Sequence, residues 1–428
     1  MTTPLMRRRS LRTLWIKAKA GSQNFVTQFG AENMKNEETP SMAVFETSTP
    51  SAQPAPRSRR NRRSFLKNVG MAGLAVSAGA LIATDSAAQT KRSKGTLSAG
   101  DAAILQFLAA AELIESDLWL QYTELGGTQD AEEQGVNGGS VPYQNALAIL
   151  DGDMAQYIHD NTDDELSHAA FINQYLISRG ASPVSFNGFY NLPSSKATGA
   201  KQMGRLTNLM NLTVDTSFWT RYRSSTQNPD LAHATFPQAV TIVNRTAIPR
   251  TDDDLLGPAT VKPFHIPDHL KAIAFTAGFH FCSIEQGGTT LYPALAQRVT
   301  DVEALRVLLS IGPTEAMHFQ TWQDKAGNTV PLTDVDPVTG SSVTFPDLTN
   351  DIPQPESLQS NLIMPEPCPF LNPKFPACSI VRPTQTAGIA TGVVKFLVSS
   401  GLFIGQSPQF FSFLRDLARA ADAAQRGF

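Results

Sequence analysis

The chain is short of cysteine, of long apolar runs and, beyond its first 88 residues, of basic residues. Its 428 residues include three cysteines, so at most one disulfide can form within the chain. Cys368 and Cys378 flank a Pro-rich segment, and the sequence leaves open whether they pair in an oxidising compartment. We interpret Cys282 as a small buried apolar residue.

The distribution of charge and apolar residues excludes two further classes of protein. Residues 1–88 hold 13 of the 35 basic residues but 5 of the 38 acidic ones, so the rest of the chain is acidic. An acidic protein is a poor candidate for nucleic-acid binding, and we expect no nucleic-acid partner. The Gly/Ala-rich apolar run from Val69 to Ala83 is too short to be a stable membrane span.

The N-terminal segment has the pattern of an export signal. Residues 1–61 are rich in Arg, Ser, Thr and Pro, and we predict a disordered leader, with Met42 as an alternative start. Residues 62–88 follow the twin-arginine pattern: Arg62 and Arg63, then an apolar run, then small residues suited to cleavage. The sequence therefore predicts export to the periplasm or the extracellular space, with an uncleaved signal anchor as the alternative.

Two Glu-x-x-His motifs, each preceded by a Glu-x6-Tyr motif, are the most informative feature of the chain. Residues i and i+3 share one face of a helix, so the Glu and His of each motif can point at the same site. The first pair of motifs comprises Glu115, Tyr122, Glu165 and His168, and the second comprises Glu285, Tyr292, Glu315 and His318.

Four carboxylates and two imidazoles, with no thiolate, suit two adjacent iron or manganese ions. We expect Glu165 and Glu315 to bridge the two ions and each histidine to bind one of them. Glu115 and Glu285 are then the terminal ligands. Glu112 is the alternative to Glu115, because it also has an aromatic residue, Trp119, seven positions on. Tyr122 and Tyr292 are interpreted either as hydrogen-bond partners of the terminal glutamates or as core aromatics.

Hydrophobic periodicity predicts four long helices, over residues 98–126, 153–178, 267–299 and 301–325. Gly312-Pro313 falls inside the fourth and is expected to kink it. Residues 181–266 form a long connection, in which we expect one more helix near 200–223. Residues 327–428 read as a Pro-rich irregular segment up to about 384 and then C-terminal helices. These helices pack on the bundle or, as the alternative, make a peripheral membrane contact.

With these motifs in place, the chain resembles the ferritin-like superfamily, and more narrowly the exported ferritin-like proteins labelled desiccation-related. The resemblance covers residues 98–180 and 267–326. It implies an all-α fold: a ferritin-like four-helix bundle, up-down-down-up, over residues 98–326 with a long crossover insertion at 181–266. It also implies a di-iron or di-manganese centre, and in such proteins the first of two glutamates on the first helix can be the ligand.

Two functions follow as hypotheses. The first is an oxidoreductase that acts on O2 or peroxide in stress protection, in the manner of a ferroxidase or a catalase. The second is a non-catalytic desiccation-related or stress-related envelope protein that uses the bundle as a binding scaffold. Assembly into a homo-oligomer is compatible with both.

Overall fold

The computed structural model describes residues 95–130, 138–221, 235–256, 265–351, 362–364, 372–376, 378–379 and 387–424. The predicted leader and export signal, residues 1–88, lie outside these ranges, as does Cys368, so the domain boundaries and the Cys368–Cys378 disulfide remain predictions. The described helices are α1 Ala99–Gly126, α2 Val141–Leu147, α3 Met154–Ser178, α4 Ser217–Arg221, α5 Asp268–Ala296, α6 Val302–Ala326, α7 Leu348–Asp351, α8 Ile389–Ser399 and α9 Pro408–Ala423. The described strands are β1 Leu212–Val214, β2 Ile242–Arg245, β3 Leu332–Val335, β4 Ser342–Phe345, β5 Leu362–Met364 and β6 Cys378–Ser379.

The four long helices α1, α3, α5 and α6 form the bundle, and the predicted all-α fold class is confirmed. The first turns of α1 and α6 are capped by side chains: Ser98 accepts a hydrogen bond from the Asp101 amide, and Asp301 accepts one from the Ala304 amide. α6 is a continuous helix through Pro313, and α5 is continuous through Pro293. Among the described residues, no helix has both the length and the apolar content needed to cross a membrane.

The bundle consists of two helical hairpins, α1 with α3 and α5 with α6, which bury a shared apolar core. One end is tied together by polar contacts across the hairpins. The Asp101 carboxylate accepts hydrogen bonds from the backbone amides of Thr300 and Asp301, at 2.8 and 3.0 Å. Arg179, buried at the end of α3, donates to Asp301 and Glu303 at the start of α6, at 2.8 and 2.9 Å. These contacts fix the height of α6 relative to α1 and α3.

The connection between α3 and α5 differs from the prediction. The helix expected near residues 200–223 is wrong for most of that range, where strand β1 precedes the short helix α4. β1 pairs antiparallel with β2, so that long-range pairing replaces the local helix. The connection is fastened to α1 by buried charges: Asp117 accepts from the Leu206 and Thr207 amides. Arg205 donates to Glu124 at 2.6 Å.

The C-terminal region also contains structure that the sequence did not indicate. Residues 328–384 were predicted to be irregular, but β3 and β4 form a regular antiparallel hairpin that packs on α5. Arg245 of β2 donates to Asp334 of β3, which links the connection to this hairpin. The two expected C-terminal helices are present as α8 and α9, and α9 packs along α1.

Candidate metal centre

Six side chains from the four bundle helices converge on one buried site. They form two overlapping groups, and within each group one ligand atom per residue lies within 4.8 Å of all the others. The groups are Glu112, Glu165, His168 and Glu315, and Glu165, Glu285, Glu315 and His318. Because Glu165 and Glu315 belong to both groups, the site offers two adjacent ion positions that share two carboxylates.

The spacing of the donor atoms suits an ion at each position. Oxygen and nitrogen ligands that bind one transition-metal ion at about 2.1 Å lie at most about 4.2 Å apart, close to the 4.8 Å limit within each group. Each group takes three residues from one hairpin and one glutamate from the other. Glu315 completes the group of the α1–α3 hairpin, and Glu165 completes the group of the α5–α6 hairpin.

On α1, Glu112 belongs to a ligand group and Glu115 belongs to neither. The repeat of Glu-x6-Tyr favoured Glu115, whereas the geometry favours Glu112, whose Oε2 lies 3.4 Å from His168 Nδ1. Glu115 remains beside the site, and its Oε1 would lie 4.0 Å from a Cβ built on Gly287. Burial and the carboxylates of Glu315, Glu165, Glu112 and Glu285 raise the pKa of Glu115 well above its usual value.

Both histidines face the site through the same ring nitrogen. His168 Nδ1 lies 3.3 Å from Glu165 and 3.2 Å from Glu315, and His318 Nδ1 lies 3.2 Å from both Glu165 and Glu285. Their Nε2 atoms point away from the site, towards the other helix of the α3–α6 pair.

The partners of the two Nε2 atoms differ in charge. His318 Nε2 lies 3.2 Å from the Asp164 carboxylate, whereas His168 Nε2 lies 3.3 Å from the Thr314 hydroxyl. Such a hydrogen bond fixes the tautomer and orientation of a ligating imidazole. Asp164 and Thr314 each immediately precede a glutamate that both groups share, and the sequence motifs single out neither residue.

Aromatic side chains of each hairpin bond to the terminal glutamate of the other hairpin. The Trp119 indole of α1 donates to Glu285 Oε1 of α5 at 2.9 Å. The Tyr292 hydroxyl of α5 donates to Glu112 of α1. Of the two interpretations offered for the tyrosines, the contact of Tyr292 matches a hydrogen-bond partner of a terminal glutamate. Tyr122 instead bonds to His280 Nδ1 at 2.6 Å, and neither Tyr122 nor His280 belongs to a ligand group.

These contacts define the register of the internal repeat. Glu285 follows Glu112 by 173 residues, and Tyr292 follows Trp119 by the same interval. The expected alignment of Glu115 with Glu285 was therefore wrong by one helical turn, because it required a tyrosine seven residues after the glutamate. Glu112 is identified when either tryptophan or tyrosine is accepted at that position.

Asn161 and Trp322 were missed by the sequence reasoning and lie directly behind the ligands. Asn161 Nδ2 donates to Glu165 at 2.9 Å and to Glu285 at 3.1 Å. Its Oδ1 accepts from the Trp322 indole at 2.8 Å. The amide thus links two of the glutamates to one tryptophan.

Gly288 on α5 makes room for a bridging carboxylate. A Cβ at this position would lie 2.7 Å from Cδ and 2.8 Å from Cγ of Glu315, and closer still to its Oε2. Since Cβ atoms do not approach other atoms so closely, any side chain at 288 would displace Glu315. The glycine is therefore part of the site even though it supplies no ligand.

The buried carboxylates of the site outnumber the side chains that can carry a positive charge beside them. Burial, together with the charge of Glu165, raises the pKa of four glutamates: Glu112, to about 7, and Glu115, Glu285 and Glu315. Glu165 is the exception: burial opposes its ionisation, but His168 and His318 outweigh burial and hold its pKa below the usual range. The carboxylates in turn raise the pKa of both histidines far above normal, although burial opposes this.

Buried oxygens without hydrogen-bond partners show that the donor set fits metal ions. Among the described residues, Oε2 of Glu315 has no hydrogen-bond partner, and Oε1 of Glu315 and Oε2 of Glu112 each face His168 Nδ1, at 3.2 and 3.4 Å. A buried acceptor left without a partner is costly, and a cation beside it removes that cost. Two divalent ions would bring four positive charges to five carboxylates. Neither ligand group contains a cysteine, which suits iron or manganese.

Comparison with known protein families supports this description of the site. The sequence model of one family, described as a ferritin-like domain, matches residues 100–327, which is more than half of the chain. The matched range runs from the first turn of α1 to the end of α6 and contains all six residues of the two ligand groups. Comparison of the chain with curated proteins and with solved structures finds no match.

Proposed function

Because this chain belongs to the ferritin-like domain family, we propose that it holds two iron or manganese ions and uses them as an oxidoreductase on O2 or peroxide. The observation that carries the proposal is the pair of overlapping ligand groups, buried between four helices and joined by Glu165 and Glu315. When bound, the metal pair would supply the electrons that O2 or peroxide accepts.

Each residue of the site would have a distinct role in holding the ions. Glu165 and Glu315 would hold both ions, while His168 and His318 would each hold one through Nδ1. Glu112 and Glu285 would be terminal ligands, oriented by Tyr292 and Trp119 respectively. Glu115 adds a carboxylate next to the ligands without belonging to either group.

Elemental analysis of the purified protein tests the proposal. We expect about two iron or manganese ions per chain, and Glu165→Gln should remove most of both, because this residue belongs to both groups. The matched control is Asp160→Asn, on the exposed face of the same helix, which should leave the metal content unchanged. A wild-type protein with less than about one ion per chain would contradict the proposal.

We also propose that the protein is exported, from the twin-arginine pattern at residues 62–88, and that its chemistry serves stress protection outside the cytoplasm. N-terminal sequencing of the mature protein tests the first part. Cleavage near Ala88 supports export, whereas a chain that keeps residues 62–88 and stays in the cytoplasm contradicts it.

A further inference from the structure

A line of oxidisable aromatic rings leads from the ligand Glu285 to the protein surface. The ring centroids of Trp119 and Trp322 lie 5.3 Å apart, with an angle of 25° between the ring planes. The Trp322 and Tyr157 centroids lie 6.2 Å apart, edge to face. Trp119 and Trp322 are 0 and 1% exposed, whereas Tyr157 is 39% exposed. The three rings therefore form a route from the buried site to solvent.

Hydrogen bonds join the inner end of this route to the ligands. Trp119 donates directly to Glu285 at 2.9 Å. Trp322 donates to Asn161, whose amide group donates in turn to Glu165 and Glu285. Both tryptophans are thus connected to the donor atoms through at most one intervening side chain.

The internal repeat shows that packing alone does not require these residues. Glu315 lies 150 residues after Glu165, and at the same interval Trp322 corresponds to Ile172, and Ile311 to Asn161. Ile172 and Ile311 are both buried in the core. The counterparts of the Trp322–Asn161 pair, one on α3 and one on α6, are therefore aliphatic, which shows that the bundle can fill such positions without an indole or an amide.

The outer end of the route is held in place at the surface. Lys325 lies over the Tyr157 ring, 5.2 Å from its centroid, and forms an ion pair with Asp151. The ring is therefore oriented with one side against Trp322 and another in solvent. A reductant dissolved in water can reach Tyr157 without entering the bundle.

We propose that Trp119, Trp322 and Tyr157 carry single electrons from a one-electron reductant in solution to the metal pair, a proposal that rests on the redox function proposed above. In each transfer Tyr157 loses one electron inwards and its phenolic proton to water. The reductant then returns one electron to Tyr157, which regains a proton from water. Trp322 keeps its proton because its partner is an amide oxygen, a weak base. Two such transfers supply the two electrons that convert one hydrogen peroxide to two waters, and the two protons that this reduction consumes come from the surrounding water, because Tyr157 takes its own proton back in each cycle.

The experiment uses the iron-loaded protein, hydrogen peroxide and no reductant, so that the oxidised aromatic residue accumulates. Freeze-quench electron paramagnetic resonance with ring-deuterated tyrosine identifies a tyrosyl radical. Spin-trap adducts mapped by peptide mass spectrometry locate it. The variants are Tyr157→Phe and Trp322→Phe, and the control is Tyr190→Phe, a tyrosine of similar exposure, 38%, in the α3–α5 connection. Iron content is measured for every sample.

We expect an adduct at Tyr157 in the wild type and in Tyr190→Phe, and loss of that adduct in Trp322→Phe at equal iron content. Tyr157→Phe, a surface change that preserves the ring, should move the radical to a tryptophan. An adduct at Tyr157 of equal yield in Trp322→Phe overturns the route and leaves the proposed function standing. So does a wild type that binds and oxidises iron without labelling Tyr157. A protein that takes up neither iron nor manganese overturns both proposals.

Discussion

Gly288→Ala should weaken metal binding, whereas Gly287→Ala, one residue earlier on the same helix, should not. The added Cβ would fall within 2.7 Å of the Glu315 carboxyl carbon, so the Glu315 side chain must move. Glu315 belongs to both ligand groups, and its displacement therefore affects both ion positions. The neighbouring Gly287 is the matched control, since a Cβ there meets only Glu115 Oε1, at 4.0 Å.

The size of the effect follows from two opposing contributions. Alanine in place of glycine favours the helix by roughly 1 kcal/mol at either position. Overpacking at position 288 costs roughly 1–3 kcal/mol, so the metal-free Gly288→Ala protein should range from about equal in stability to about 2 kcal/mol less stable. Misplacing a ligand commonly costs about 10–100-fold in metal affinity.

Urea unfolding with and without manganese separates these contributions. At an ion concentration about 100 times the wild-type dissociation constant, each bound ion stabilises the wild type by about 2.7 kcal/mol. At the same concentration each ion should stabilise Gly288→Ala by only about 0.4–1.4 kcal/mol, as a 10–100-fold loss of affinity requires. Gly287→Ala should keep the full increment. If Gly288→Ala also keeps it, Glu315 is not a ligand in the way the geometry indicates.

Three further changes test other contacts. Trp119→Phe removes the hydrogen bond to Glu285 and should weaken metal binding by about 10–100-fold in a calorimetric titration; unchanged affinity would show that the bond does not orient the ligand. Asp164→Ala should weaken one ion position more than Thr314→Val weakens the other, since a charge-assisted bond is about twice as strong as a neutral one; equal losses in titration would contradict this. Burial lowers the pKa of His269 but its aspartate partners outweigh burial and raise it from 6.5 to about 9. Its stabilisation should therefore be complete below pH 6.5 and be lost as the pH rises through about 9, and His269→Gln should abolish this fall in urea unfolding; a fall that persists in the variant would exclude His269 as its source.

The bundle was predictable because its signals are local. The apolar periodicity placed the starts of α1 and α6 at residues 98 and 301, within one residue of the structure. The two Glu-x-x-His motifs need only helical geometry to bring each pair to one face. The prediction that they share one site depended on the internal repeat and on the resemblance to a known fold.

The parts that could not be predicted depend on contacts between distant residues. β1 pairs with β2 some 30 residues away, and β3 and β4 are held against α5 by tertiary packing that no local pattern reports. The choice between Glu112 and Glu115 required knowing that Tyr292 reaches across to the opposite hairpin. The spacing of residues within one helix gives no information about a contact with the opposite hairpin.

The division of each ligand group between the hairpins has a consequence for how the protein matures. A detached α1–α3 or α5–α6 hairpin offers an ion three donors and lacks the bridging glutamate of its counterpart. Under the proposed function, tight capture of metal would therefore follow the joining of the two halves, late in folding.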